Sequence, residues 1–320
     1  MFRFPTLNVS LKWQFVILVV LTLIAILFHP PTRDLDLPVS DPSVQEALEI
    51  ARNPNPPFEL DPTCTPILDY EPARTKVVLL FHGYTNCPAQ YSELTPLLTE
   101  AGYNVYAPLL PYHGSMDKLT NATNYLTPEI LEQHLGESIS VAQALGEEVT
   151  TLGVSGGGVL ATLALESPAV THAVSLAPFH LPAMLPGWSI TPTTKLVPRL
   201  PNYNAFWNPE VALNNPGRPR YAYRRFSSHS LAAYQNLTLR LPHSTREDDA
   251  RLTLILNPND AAINNEYAEN YPEKLTKLNL ESKVIYIPAE WNLEHDVIDP
   301  NQSFARPDLV YPFILEQLEK

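Results

Sequence analysis

The chain has 320 residues, 45% of them hydrophobic, which suffices for one large buried core, and no internal repeat is visible. It carries 21 basic against 34 acidic residues, a formal net charge of −13. Nucleic-acid affinity comes largely from phosphate neutralisation, so this balance argues against a nucleic-acid partner.

From Trp13 to Phe28 the chain has no charged side chain, with Arg3 and Lys12 before it and Asp34 and Asp36 after it. At 1.5 Å per residue this run covers about 24 Å, marginal for a bilayer core of about 30 Å, so a signal peptide and an uncleaved anchor both fit. No small-x-small cleavage site precedes His29-Pro30-Pro31, which favours an anchor over residues 1–28. The positive N-terminus would then leave the rest of the chain outside the cytoplasm, on the periplasmic or extracellular side. A secreted protein is the alternative.

Residues 29–65 hold eight prolines and predict an extended, semi-rigid tether. One short helix interrupts it, because Ser43-Val44-Gln45-Glu46 is a capping box leading into Ala47–Arg52. Cys64 and Cys87 flank the first strand of the core. In the oxidising compartment that export reaches they would be bonded, and two buried free thiols are the other reading.

Residues 66–320 read as a single domain. Lys76–Phe81 is a buried-strand run that ends directly in the tight loop His82-Gly83-Tyr84-Thr85-Asn86-Cys87-Pro88. Pro111-Tyr112-His113-Gly114 is a second turn. Glu148–Leu152 predicts a short strand and Gly158–Leu165 a buried helix, and between them stands Gly153-Val154-Ser155-Gly156-Gly157. A Gly-x-Ser-x-Gly turn holds its serine in a strained conformation with the hydroxyl clear of the sheet, and its glycines mark places where no side chain fits.

After the strand Val170–Leu176 comes a long insertion rich in proline and in aromatics: Trp188, Tyr203, Phe206, Trp207, Tyr221 and Tyr223. Leu252–Leu256 predicts the next strand, followed by Asn257-Pro258-Asn259-Asp260, and Ser282–Pro288 the last, followed by the segment that holds His295, Asp296 and Asp299.

Taken together, the His-Gly-x-Thr loop, the serine turn and the final histidine segment resemble the α/β-hydrolase superfamily over roughly residues 66–320. The branch is that of carboxylesterases, monoglyceride-lipase-like enzymes and serine-aminopeptidase-like proteins. The resemblance implies an α/β fold with a mostly parallel sheet flanked by helices, and a cap at about residues 180–245. A serine hydroxyl is a poor nucleophile until a base takes its proton and a carboxylate orients that base. The family's order Ser, Asp, His points to Ser155, Asp260 and His295, with Asp296 and Asp299 as rival acids.

By the same resemblance, the Tyr84 and Gly156 amides would form an oxyanion hole, and His82, Gly83 and His113 would support it. Neither a metal nor an organic cofactor is implied. The expected activity is hydrolysis of a small or lipid-like ester, the cap aromatics forming an apolar pocket for the acyl group. A peptidase or amidase would use the same core residues, whereas a non-catalytic, membrane-tethered binding protein would be expected to lack one of the three. Arg218, Arg220, Arg224 and Arg225 form a basic cluster that would touch an anionic group or simply face solvent.

Overall fold

A computed structural model describes residues 11–29, 33–207, 219–240, 246 and 250–319. Among these, seven strands form one sheet: β1 (Ile67–Asp69), β2 (Lys76–Phe81), β3 (Tyr103–Ala107), β4 (Glu148–Val154), β5 (Val170–Leu176), β8 (Arg251–Leu256) and β9 (Glu281–Tyr286). Across the sheet their order is β1-β3-β2-β4-β5-β8-β9, and only β1 runs antiparallel to its neighbour. The α/β architecture expected from the sequence is therefore present.

Parallel strands covered on both faces are apolar throughout, and β2 shows how the two faces are shared. Val77, Leu79 and Phe81 pack with α4 (Pro128–Leu145) and α5 (Gly156–Leu163) through Leu131, Leu135, Ile139 and Leu160. Val78 and Leu80 point the other way. They pack with α3 (Leu94–Glu100) through Leu94 and Leu98, and with the last helix, α9 (Pro307–Glu319), through Ile314 and Leu318. Four loops leave the carboxyl ends of β2, β4, β8 and β9 at one edge of this sandwich, which is where open α/β sheets bind ligands. The loop after β8 leads into the short α8 (Asn265–Glu269).

The insertion between β5 and β8 contains α6 (Ile190–Leu196), the two-stranded ribbon β6 (Asn204–Phe206) and β7 (Arg225–Ser227), and α7 (Ser228–Thr238). It hangs on the loop after β2: the Tyr223 amide donates to the Thr85 carbonyl at 2.7 Å, and the Ser227 amide to the Tyr84 hydroxyl at 3.0 Å. Arg218 lies outside the described residues. Arg225 is turned inward and donates to the Leu119 carbonyl, so that part of the basic cluster serves the fold.

The proline-rich segment is extended as expected, yet it is docked. Leu35 is fully buried, and α2 (Val44–Arg52), closed by the Ser43–Glu46 capping box, buries Ala47 and Ala51 against α4. Backbone groups fasten the rest. The Asp36 amide donates to Glu132 at 2.6 Å and the Ser40 amide to Ser140 Oγ at 2.7 Å, and Gln143 reaches back to the Ser40 carbonyl. Arg240, on the turn after α7, pairs with Glu129 and Glu132 from the same helix face.

α1 (Leu11–Phe28) has 18 residues, about 27 Å at 1.5 Å per residue. Among the described residues no helix is long and apolar enough to cross a membrane, so the spanning N-terminal anchor expected from the sequence is not supported. The helix meets the cap at its end, where the Phe28 and Trp188 rings lie 6.1 Å apart and Lys195 donates to the His29 carbonyl. Its side chains from Val16 to Ile26 are exposed.

Cys64 and Cys87 are bonded across a separation of 23 residues. Closing a loop of this size is worth about 3 kcal/mol in the chain-entropy view. Reductant is therefore expected to lower the melting temperature, and alkylation of unreduced protein followed by mass spectrometry to return a linked Cys64–Cys87 peptide. Two alkylated thiols in that sample would refute the bond.

Candidate active site

Ser155 stands at the turn from β4 into α5 with φ 57° and ψ −119°, a conformation that L-residues adopt only under constraint. The constraint is visible in the glycines beside it. A Cβ on Gly153 would lie 2.1 Å from the Gly157 carbonyl oxygen, and one on Gly157 would lie 2.0 Å from that of Phe81. Only glycine lets the start of α5 press against β2 so closely, and the Ser155 amide and carbonyl are tied to Leu176 and Phe179. The side chain that results lines a cavity of about 320 Å³ at the carboxyl edge of the sheet.

His295, on the loop after β9, lines the same cavity. Its Nδ1 lies 2.6 Å from Asp260 Oδ2, and the other oxygen of that carboxylate accepts the Ala262 and Ile263 amides. With two backbone N–H donors on Oδ1, the acid presents Oδ2 to the imidazole in one orientation. Burial alone would lower the His295 pKa, but the charge and hydrogen bond of Asp260, and next the charge of Asp296, outweigh it and raise the value. Asn257 locks the two loops together by donating to the Leu293 and Glu294 carbonyls at 2.9 and 2.7 Å.

The rival acids point elsewhere. Asp296 receives Asn86, Gln90 and Gln302, while Asp299 receives Asn86, Tyr221 and the Asn301 amide. Asp299 is fully buried, and burial together with the charge of Asp296 pushes its carboxyl up to about 6.

Gly83 and Tyr84 line the same cavity. Among the described residues neither the Tyr84 nor the Gly156 amide donates to a protein acceptor, and of the two residues Tyr84 lines the cavity while Gly156 follows Ser155 at the start of α5. His82 and His113 hold the loop from behind. The Leu110 amide donates to His82 Nε2 at 3.1 Å and the Thr85 amide to His113 Nε2 at 3.3 Å, and each ring's Nδ1 faces a carbonyl, of Gly83 and Pro111 respectively. Both rings are buried and held neutral, His113 with its pKa lowered to about 4.

The insertion aromatics divide in a way the sequence did not announce. Trp207 lines the cavity and is pinned by its indole N–H to Thr85 Oγ1 at 3.1 Å. Tyr221 and Tyr223 instead spend their hydroxyls on Asp299 and on the turn at Tyr112–Ser115, and Trp188 and Tyr203 are exposed. Phe179, just after β5, and Phe304, after the histidine loop, complete the apolar wall. Their positions carry no local sequence signal. Among the described residues no group of three or more His, Cys, Asp or Glu side chains is placed to hold a metal ion.

Comparison with known proteins bears on the fold and the family. The structure superposes on a metagenome-derived lipolytic enzyme from a study of LipS and LipT with a TM-score of 0.59, at 13% identity, over 82% of this chain and 99% of that one. It superposes on a monoacylglycerol lipase of Paleococcus ferrophilus with a TM-score of 0.55, at 19% identity, over 82% and 98%. At such identities the likeness speaks for the fold alone. A pyrethroid hydrolase of Sphingobium wenxiniae is 30% identical over 131 residues, 39% of this chain and 42% of that protein, so the chain spans less than half the length of this relative. The sequence pattern of the alpha/beta hydrolase family matches residues 77–297, from the first parallel strand to the histidine loop. A match over well over half of the sequence, on a sheet with that family's parallel core, places the chain in the alpha/beta hydrolase family.

Proposed function

We propose that the protein is a serine hydrolase that cleaves carboxylic esters with small or apolar acyl groups. The observation that carries this reading is the 2.6 Å pair of Asp260 and His295 facing the same cavity as the strained Ser155. Ser155 Oγ attacks the acyl carbon while His295 Nε2 takes its proton, and Asp260 holds Nδ1–H and supports the imidazolium. The carbonyl oxygen, now negative, faces the Tyr84 and Gly156 amides. Collapse breaks the C–O bond to the alcohol, which leaves with the proton from His295. Water then attacks the acyl-enzyme, with His295 again as base, and frees Ser155.

The cavity supports an ester with an apolar acyl part, since Val154, Phe179, Trp207, Leu231 and Phe304 wall it. The lipolytic names among the structural neighbours and the pyrethroid hydrolase point the same way. Glu294 and Asp296 also reach the cavity wall and favour an amine-bearing substrate as the second reading. The Cys64–Cys87 bond supports placing the domain outside the cytoplasm.

A fluorophosphonate probe is expected to label Ser155. A panel of p-nitrophenyl esters, monoacylglycerols and p-nitroanilides is expected to show turnover of esters far above that of anilides. Faster anilide cleavage would give the amidase reading, and an unlabelled, inactive protein would refute both.

A further inference from the structure

Between the loop that bears the Tyr84 amide and the loop that bears His295 lies a set of side chains that the proposed mechanism leaves unused. Gln90, on the turn Pro88–Tyr91, is 1% exposed. Its Oε1 accepts the Gly83 amide at 2.9 Å, and its Nε2 donates to Asp296 Oδ1 at 2.7 Å. Asp296 Oδ2 accepts Asn86 Nδ2 at 3.1 Å and Gln302 Nε2 at 2.7 Å. Three side-chain amides thus converge on one carboxylate, in the residue next to His295. The Gln90 amide has one possible orientation there, because reversing it would set its NH2 against the Gly83 N–H and its oxygen against the carboxylate.

We propose that Gln90 is a positioning residue, a strut that acts through Asp296 to fix the distance between the loop of the Tyr84 amide and the base. The inference rests on the serine-hydrolase reading. The strut is short and has no slack: one planar amide spans from the backbone of one loop to the side chain of the other. Neither end takes part in the proposed bond changes. Because the Asp296 charge also raises the His295 pKa, the strut is read at alkaline pH, where His295 is neutral. There its effect comes through alignment, where a displacement of about 1 Å can cost on the order of a hundredfold in rate.

The test exploits the direction of the hydrogen bonds. Gln90→Glu sets a carboxylate against Asp296, and Asp296→Asn turns an NH2 toward that of Gln90 or gives up its bonds to Asn86 and Gln302. Each single change is expected to lower kcat on a p-nitrophenyl ester about 10- to 100-fold while leaving KM within about twofold. In Gln90→Glu/Asp296→Asn the polarity is exchanged. The carboxylate introduced at position 90 accepts the Gly83 amide with one oxygen, and with the other it accepts an N–H from the side-chain amide introduced at position 296. The carbonyl oxygen of that new amide still receives Asn86 and Gln302. This double variant is expected to recover kcat to within about threefold of the wild type.

Melting temperature and circular dichroism establish that each variant is folded. A folded Gln90→Glu with wild-type kcat, or a folded double variant impaired by the product of the single losses, would overturn the strut. Should Gln90→Glu fail to fold, the double variant decides alone, since a folded double variant with low kcat also overturns it. A wild-type protein that turns over no ester and takes no fluorophosphonate would instead overturn the reading of Ser155.

Discussion

Ser155→Ala is expected to remove essentially all ester hydrolysis, with kcat falling on the order of a millionfold, the loss typical when the nucleophile of such a triad is deleted. The fold should survive. The substitution removes a single oxygen from a side chain that faces the cavity, and the positive φ of 57° was already tolerated with a Cβ present. Turnover measured beside the melting temperature checks both halves. Activity within tenfold of the wild type would end the nucleophile assignment.

Asp260→Asn is expected to cost less, on the order of ten-thousandfold, and the structure indicates how. Oδ1 is held by the Ala262 and Ile263 amides, so the asparagine oxygen must stay there and its NH2 must take the place of Oδ2. An NH2 facing Nδ1 forces that nitrogen to accept, which moves the ring proton to Nε2, where it can no longer take the proton of Ser155. The charge is lost as well. Asp260 helps hold the His295 pKa above its usual value, and the base works only when neutral, so activity falls as pH drops through that raised pKa. Without Asp260 the pKa drops, and the residual activity should persist to lower pH. A pH profile of kcat/KM checks the shift. A larger loss from Asp296→Asn or Asp299→Asn than from Asp260→Asn would mean that the acid is misassigned.

The parts of this molecule that the sequence discloses are those where one local cause is enough. β2, β4, β5 and β8 are buried almost throughout on both faces, so β-favouring and mainly apolar residues run through each, and the residue at its end is the one that leaves the sheet. The serine turn is disclosed by steric necessity, since its glycines answer to atoms within 2.1 Å. Gln90 and Asn86 are different. Their importance comes from Asp296 and Asp299, more than 200 residues away along the chain, and no spacing rule links them. Composition likewise marks residues 33–65 as extended without saying that α4 lies beneath them. The cap aromatics fail for a third reason, because a tyrosine hydroxyl must find a partner when buried, and Tyr221 and Tyr223 found theirs away from the cavity.

The docking of the proline-rich segment bears on where this protein can be cut, joined or exchanged. A boundary at residue 66 would look clean by composition, but it would strip Leu35, Ala47 and Ala51 from α4 and leave Glu132 facing Arg240 without its Asp36 and Arg33 contacts. It would also discard Cys64 and leave Cys87 as a lone thiol beneath the loop of Tyr84. A protein cut at residue 66 is therefore expected to be less stable than one that keeps the segment from Leu35 to Cys64. Chimaeras and fusions that keep the segment together with α4 are expected to fold better than those that divide the two, because the face of α4 beneath the segment is buried by it.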